Sequence, residues 1–124
     1  QVAPVQMGGV AVGNLICADA FDPVIARRSK AAGAQIFVSP AAWAPGECGP
    51  DPYWAALTKD TGLPLIVCNR TGQEGEFDFR KAESVVMKNG EKLLSFHSAA
   101  PALLLFDWNR EKQEPLQRAF SVIA

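Results

Sequence analysis

The stretch Gly9-Val10-Ala11-Val12-Gly13-Asn14-Leu15-Ile16-Cys17-Ala18-Asp19-Ala20-Phe21-Asp22-Pro23 decides how this chain is read. Its first eight residues are an apolar run punctuated by glycine, the pattern of a buried strand. Asp22 and Pro23 then supply the N-cap and first-turn proline of a helix. Cys17 therefore sits on a strand-to-helix elbow. Such an elbow projects one side chain from the carboxyl edge of a sheet. The amide that follows and the start of the next helix help to lower a thiol pKa and to bind an anion. This is the setting of a nucleophile.

Outward from the elbow, apolar runs alternate with amphipathic stretches, and the fold class is α/β. The first strand covers about residues 10 to 16. The helix from Asp22 is expected to pack through Ile25 and Ala31-Ala32 and to stop at Gly33. A second strand, Gln35 to Ser39, enters the Pro/Gly-rich loop Pro40 to Pro50. Asp51-Pro52 repeats the helix-start signal, opening a helix through Tyr53, Trp54 and Leu57 that ends by Gly62. Pro64 to Asn69 is a third strand, and Glu83 to Lys88 with Lys92 to Phe96 form a hairpin around Asn89-Gly90, a dipeptide suited to a type I′ turn. Leu103 to Trp108 gives a last strand, and the tail after Asn109 takes no assigned element. Leu65-Ile66-Val67-Cys68 and Ala102 to Phe106 are apolar on both faces, so each sheet face needs a cover. Two helices supply only one.

Composition narrows the possible partners. A chain of 124 residues, 48% hydrophobic, holds one domain and one core. A net charge of −1 and a pI near 5.8 give no reason to expect nucleic acid or an anionic membrane surface. No apolar run approaches the roughly 18 residues needed to span a bilayer, and the first residues lack the pattern of a secretion signal. Cysteines at 17, 48 and 68 have no C-x-x-C spacing, which argues against a disulfide framework or a zinc site. The expected compartment is a reducing cytoplasm.

Single residues carry two readings each. Cys17 is a nucleophile or a small buried hydrophobe, and its surroundings favour the nucleophile. Cys68 is read as core and Cys48 as an incidental loop residue. Asp19 either orients groups near the thiol or caps its own turn. Asn69 and Arg70 are read as bracing loops, His97 as a hairpin-end residue, and Glu74, Glu76 and Asp78 as a solvated loop.

Several of these segments together resemble the nitrilase superfamily, the carbon–nitrogen hydrolases. Leu15-Ile16-Cys17-Ala18-Asp19 with Pro23 is similar to its nucleophile segment, and Ala32-Gly33-Ala34-Gln35-Ile36-Phe37-Val38-Ser39-Pro40-Ala41-Ala42-Trp43 to its Gly-Ala-strand-Pro-Ala-Trp segment. Cys68-Asn69-Arg70-Thr71-Gly72-Gln73-Glu74-Gly75 resembles its Asn-Arg-x-Gly segment, and Ser84-Val85-Val86 with Asn89-Gly90-Glu91 its closing hairpin. Ordered motifs of this kind are more specific than any one alone. The sequence departs from the family pattern at Ala18, at Val24 and across Phe79-Arg80-Lys81-Ala82-Glu83, positions that bear on substrate more than on fold.

The resemblance implies half of an αββα sandwich, one mixed sheet with two main helices on one face. Residues 1–124 are then the carboxyl-terminal portion of a single hydrolase domain: a fragment, a cleaved product or part of a split enzyme. It implies hydrolysis of a non-peptide C–N bond in an amide or nitrile, with Cys17 as nucleophile, the Ala18 backbone N–H in an oxyanion hole and a thioester intermediate. Asp19, Phe21 and Trp43 belong to the implied pocket, although Trp43 equally suits a core corner. No cofactor and no metal are implied. The implied partners are the small-molecule substrate, a missing amino-terminal half supplying a glutamate and a lysine, and further copies in a homo-oligomer. The chain alone is then expected to be inactive and to aggregate, dimerise or co-purify with its complement. A noncatalytic α/β interaction domain derived from such an enzyme is the alternative. A Cys17–His97 glutaminase is a weaker one, since such elbows want glycine where this chain has Ile16, Ala18 and Ala20.

Overall fold

The computed structural model describes residues 3–46 and 50–124, without the side chains of Pro50 and Asp51; Cys48 lies outside the described residues, and so does the side-chain cap expected of Asp51. The chain begins with β1 (Val5–Met7) and β2 (Val10–Asn14), then a 3-10 turn at Cys17–Phe21 and helix α1 (Pro23–Ala31). β3 (Ile36–Ala41) follows, then a π-helical turn at Pro50–Trp54 running into α2 (Ala55–Thr61), then β4 (Leu65–Asn69). A small ladder of β5 (Gln73–Glu74) and β6 (Phe77–Asp78) precedes the hairpin of β7 (Ser84–Lys88) and β8 (Glu91–Phe96). The last part holds β9 (Leu103–Leu105), β10 (Trp108–Asn109), β11 (Glu114–Pro115) and β12 (Ser121–Ile123).

Six strands form one mixed sheet in the order β1-β2-β3-β4-β7-β8. The inner strands β2, β3 and β4 are parallel and are joined through α1 and α2, whereas the outer pairings are antiparallel. This is the α/β class, with two main helices on one face, that the alternation predicts. Strand β1 has no counterpart in the sequence reading. It pairs with β2 through the two-residue turn Gly8-Gly9, whose positive φ values of 56° and 83° suit glycine. At the other end Asn89 (φ 50°) and Gly90 (φ 80°) make the predicted hairpin turn, and the Gly90 N–H donates to Thr58 Oγ1 of α2 at 2.9 Å.

The predicted cap of α1 is present: Asp22 Oδ1 accepts from the Val24 N–H at 2.9 Å, and Pro23 opens the helix. The buried face differs from the expectation. Ala31 and Ala32 are exposed, and α1 meets the sheet through Ala26 and Ser29, with Ile25 half-buried. Small side chains at those positions let the helix approach Gly13 of β2. A Cβ on Gly13 would overlap Ser29 Oγ and stand 2.9 Å from Phe37 Cδ1. Helix α2 ends at Gly62, left-handed at φ 68°, whose N–H reaches Thr58 O at 3.0 Å. A fork from Arg27 to Asp60, at 2.8 and 2.9 Å, joins the two helices on their solvent side.

Between helices and sheet lies the core: Ala26, Trp54 and Leu57 pack with Leu15, Phe37, Leu65, Val67, Val85 and Met87. The alternation of β4 corrects one sequence reading. Leu65 and Val67 point to the helices and are buried, so Ile66 and Cys68 point the other way, and Cys68 is exposed rather than core. On that second face Val12, Ile36, Val86 and Leu94 are buried while Ile66 is only half-buried. Part of its cover comes from the tail: β11 contacts β8, and Lys88 Nζ donates to Lys112 O.

The expected last strand, Leu103 to Trp108, is corrected as well. It splits into two short pieces outside the six-stranded sheet, β9 pairing with β12 and β10 with β11. The six-stranded sheet ends with β8 at Phe96, and residues 97–102, Pro101 among them, carry no strand, so the chain has left that sheet before the expected segment begins. Leu103 and Leu105 are consequently exposed.

Candidate active site

The parallel strands set the elbow. Strand β2 ends at Asn14, and the Leu15 N–H still continues the ladder by donating to Val38 O at 2.9 Å. Leu15 is fully buried, and so pins the chain as it leaves the sheet. The next turn is closed by one residue from both sides: Asp19 Oδ2 accepts the Ile16 N–H at 3.0 Å, and the Asp19 N–H donates to Ile16 O at 3.0 Å. Ala20, also buried, anchors its far end.

Cys17 lies inside that clasp with φ 46°, in the left-handed region that residues with a Cβ rarely occupy. Such a conformation persists where its surroundings over-determine it; here Leu15 and Ala20 fix the two ends and Asp19 fixes the span. The side chain is half-buried, against the edge of the core. Ala18 follows it exposed, at the opening of the 3-10 turn, where the first N–H groups have no acceptor within the turn. Of the two readings of Asp19, the capping geometry is the one observed.

An aromatic cluster backs the turn. Phe21, half-buried, has its ring centroid 5.1 Å from Trp43 and 4.5 Å from Tyr53, the latter edge-on. Trp43 is 6% exposed and stacks on Trp54 at 4.9 Å. The ring thus supports the cysteine turn from within the core. Its backbone is held by Asn69, whose Oδ1 accepts the Trp43 N–H at 2.9 Å and whose Nδ2 donates to Trp43 O at 3.0 Å and Glu83 O at 3.2 Å. Asn69 therefore braces the loops, as its position at the end of β4 suggests. Its own N–H donates to Ser84 Oγ at 2.9 Å, tying the hairpin in.

Glu83 stands at the base of that hairpin, 2.8 Å from Lys92 Nζ and hydrogen-bonded by Ser95 Oγ. Burial pushes its carboxyl up, but the hydrogen bonds from Lys92 and Ser95, with the charges of Lys92 and His97, outweigh this and hold it below the usual carboxylate value. His97 itself is exposed at the end of β8. Among the described residues, no group of His, Cys, Asp and Glu is arranged to hold a metal ion. Among the described residues, no helix is long and apolar enough to cross a membrane.

The loop after β4 holds features that the sequence reading passed over. Glu74 and Asp78 are ion-paired, with Arg70 and Arg80 respectively, and the Arg80 fork holds the Asp78 carboxyl well below its ordinary range. The Arg70 guanidinium also lies 4.7 Å over the Phe79 ring. No signal in the sequence separates such pairs from solvated charges.

No protein-family model matches the chain. The glutamine-dependent NAD(+) synthetase of Rhodobacter capsulatus is 29% identical over 118 residues, which cover 86% of this chain and 20% of that protein. Among solved structures, an amidase from Nesterenkonia sp. superposes with a TM-score of 0.68 at 30% identity, covering 77% of this chain and 37% of the amidase chain. A cysteine-to-alanine mutant of the Nesterenkonia sp. AN1 amidase, placed in the nitrilase superfamily and matching at 29% identity, has the same score and coverage. The chain thus spans about a fifth of the synthetase and under two fifths of the amidase.

Proposed function

We propose that this chain, whose sequence and fold are those of the nitrilase superfamily, carries the nucleophile of a carbon–nitrogen hydrolase acting on small non-peptide amides, with Cys17 as that nucleophile. The observation that supports it best is the left-handed Cys17 held by buried neighbours at the carboxyl edge of three parallel strands. Strained residues at such an edge are characteristic of catalytic positions. The relatives are consistent with amide chemistry: a mutant of the Nesterenkonia amidase is known in complex with butyramide, and another with acrylamide added at its active site cysteine.

In the proposed reaction a glutamate of the amino-terminal half takes the Cys17 thiol proton, the sulfur adds to the amide carbonyl carbon and the C=O electron pair moves to oxygen. The Ala18 N–H donates to that oxyanion, together with a lysine of the amino-terminal half. Collapse expels ammonia or an amine, protonated by that glutamate, and leaves a thioester on Cys17. Water, deprotonated by the same glutamate, adds to the thioester and releases the acid and the thiol. Donors aimed at the developing oxyanion contribute several kcal/mol in such sites, on the order of 3 for one donor. Asp19 keeps the turn in shape, and Phe21 and Trp43 form the apolar wall behind it.

The sheet face bearing Ile66 and Cys68 is the surface on which the amino-terminal half packs, completing an αββα sandwich. The test is single-turnover mass spectrometry of the assembled enzyme with a small aliphatic amide. The expected result is an acyl adduct on the peptide containing Cys17, absent from a Cys17→Ala variant. Hydrolysis that survives in Cys17→Ala refutes the assignment. Absence of any turnover, with both halves present and folded, would make the chain a noncatalytic interaction domain.

A further inference from the structure

An unbroken line of contacts runs from the end of β4 to the cysteine turn, and it begins at Asn69. The backbone there is fixed from both flanks. The Asn69 N–H donates to Ser84 Oγ of β7 at 2.9 Å, and the next N–H, that of Arg70, donates to Ala41 O of β3 at 2.9 Å. A side chain that leaves so rigid a base holds its direction.

The Asn69 amide is spent entirely on backbone groups. Its Oδ1 accepts the Trp43 N–H at 2.9 Å, and its Nδ2 donates to Trp43 O at 3.0 Å and to Glu83 O at 3.2 Å. Bonds to both the N–H and the C=O of one residue act as a strand partner does, fixing the place and the rotation of that residue. Among the described residues, no other hydrogen bond reaches the Trp43 backbone. Asn69 therefore sets the direction in which the Trp43 side chain leaves the chain.

The indole lies between a fixed body and the turn. On one side it stacks on Trp54, which is 1% exposed, with centroids 4.9 Å apart and planes at 21°. On the other it meets Phe21 at 5.1 Å and 52°. Phe21 closes the turn Cys17–Phe21, and Cys17 and Phe21 both pack against the cluster to which Trp43 belongs. Interiors are close-packed, so a shift of the indole is passed to its neighbours. Trp54 has no free side to yield into, whereas Phe21 is half-buried and moves with the turn.

We infer that Asn69 is a positioning residue for the Cys17 nucleophile, acting through Trp43 and Phe21. Asp19 closes the turn from within; Asn69 sets where the closed turn stands relative to the sheet. Reacting atoms tolerate little misplacement, about 1 Å costing on the order of a hundredfold in rate. This inference rests on the hydrolase reading above and adds a residue to that same site.

Turnover of butyramide and alkylation of Cys17 by iodoacetamide, both on the assembled enzyme, test it. Asn69→Ala, at a temperature where its circular dichroism equals the parent's, is expected to lose about tenfold to a hundredfold in kcat with KM changed less than about twofold. Alkylation of Cys17 is expected to slow by about threefold or more, as the thiol leaves the groups that activate it. Phe21→Leu removes the ring between indole and turn but keeps the Asn69 bonds, so the two kcat losses should not add in the double variant. Asn69→Asp keeps an acceptor and turns a carboxylate toward two carbonyls. Its rate relative to the parent's is expected to rise as pH falls from about 8 to 5, because protonation returns one donor. Where Asn69→Ala does not fold, Asn69→Asp takes its place in each comparison. Full kcat in the folded variant, losses that add with Phe21→Leu, or an Asn69→Asp ratio that is flat with pH overturns the inference. If the parent turns over no amide, the hydrolase reading fails, and the alkylation rates alone then decide whether Asn69 positions the thiol.

Discussion

Asp19 and Ile16 are joined twice, by Asp19 Oδ2 accepting the Ile16 N–H and by the Asp19 N–H donating to Ile16 O, both at 3.0 Å, with Cys17 enclosed between them at φ 46°. The side-chain half of this clasp is what an aspartate adds. Asp19→Ala should cost about 1 kcal/mol of stability, as the loss of a capping side chain does, read as a lowered denaturant midpoint. Activity of the assembled enzyme should fall by more than stability alone explains, because the turn then relaxes toward an unstrained φ. Asp19→Asn keeps an acceptor oxygen and should restore most of both. If Asp19→Ala leaves turnover intact, the clasp does not position the thiol.

Gly13 is required for close packing, since a Cβ there meets Ser29 Oγ, Phe37 Cδ1 at 2.9 Å and Ala34 Cβ at 3.1 Å. Gly13→Ala should destabilise by roughly 1–3 kcal/mol through overpacking. Ser29 Oγ is buried without a hydrogen-bond partner among the described residues, so Ser29→Ala should be close to neutral. The double variant should recover part of the Gly13→Ala loss, a coupling measured by a double-mutant cycle. Simple additivity would show that the helix and strand do not meet as described.

The parts of this molecule that the sequence discloses are those fixed by local chemistry. The Asp22 cap, the Gly62 stop and the Asn89-Gly90 turn each depend on a few adjacent residues, and each is found where it is expected. The errors arise where distant contacts decide. Ala31 and Ala32 look like a packing surface, yet Gly13 draws the helix in at Ala26 and Ser29 instead. Cys68 belongs to an apolar run, but an alternating strand exposes whichever face lacks a neighbour. The Gly8-Gly9 turn had a readable signal, and only the three-residue length of β1 hid it. At the site, the elbow is legible because its residues are contiguous; the Arg70, Glu74 and Phe79 arrangement depends on the loop closing on itself, which no spacing rule foretells.

Asn69 binds both backbone groups of Trp43 and the carbonyl of Glu83. Asn69→Ala removes three hydrogen bonds in a half-buried place and should cost about 2–3 kcal/mol. The tryptophan emission should shift to the red as the loop carrying Trp43 loosens. Asn69→Asp offers no donor to the two carbonyls and should rescue little. An unshifted emission with unchanged stability would remove Asn69 from its bracing role.

Glu83 links β7 to β8 through Lys92 and Ser95, whose hydrogen bonds outweigh the effect of burial and hold its carboxyl below the usual carboxylate range. A depressed folded-state pKa means that the unfolded chain takes up the proton first. The stabilisation is therefore complete above the unfolded value and is lost as pH falls through the lower folded one. Glu83→Gln should be less stable than the parent at pH 7, with the difference shrinking below about pH 4.3. Denaturant melts across pH measure it, and a difference that persists undiminished in acid would assign the loss to packing instead.

Cys68 and Ile66 look out from the sheet face that the helices do not cover, and Cys68 is exposed there. If the amino-terminal half packs on this face, maleimide should modify Cys68 rapidly in the isolated chain and slowly in the assembled enzyme. Contiguous apolar patches of more than a few hundred Å² seldom remain in water, so the isolated chain should also associate in light scattering. A Cys68→Trp variant places a bulky ring on the same face and should weaken assembly while leaving the helix-side core unchanged. Equal labelling in both forms, with a monodisperse monomer, would place the partner elsewhere.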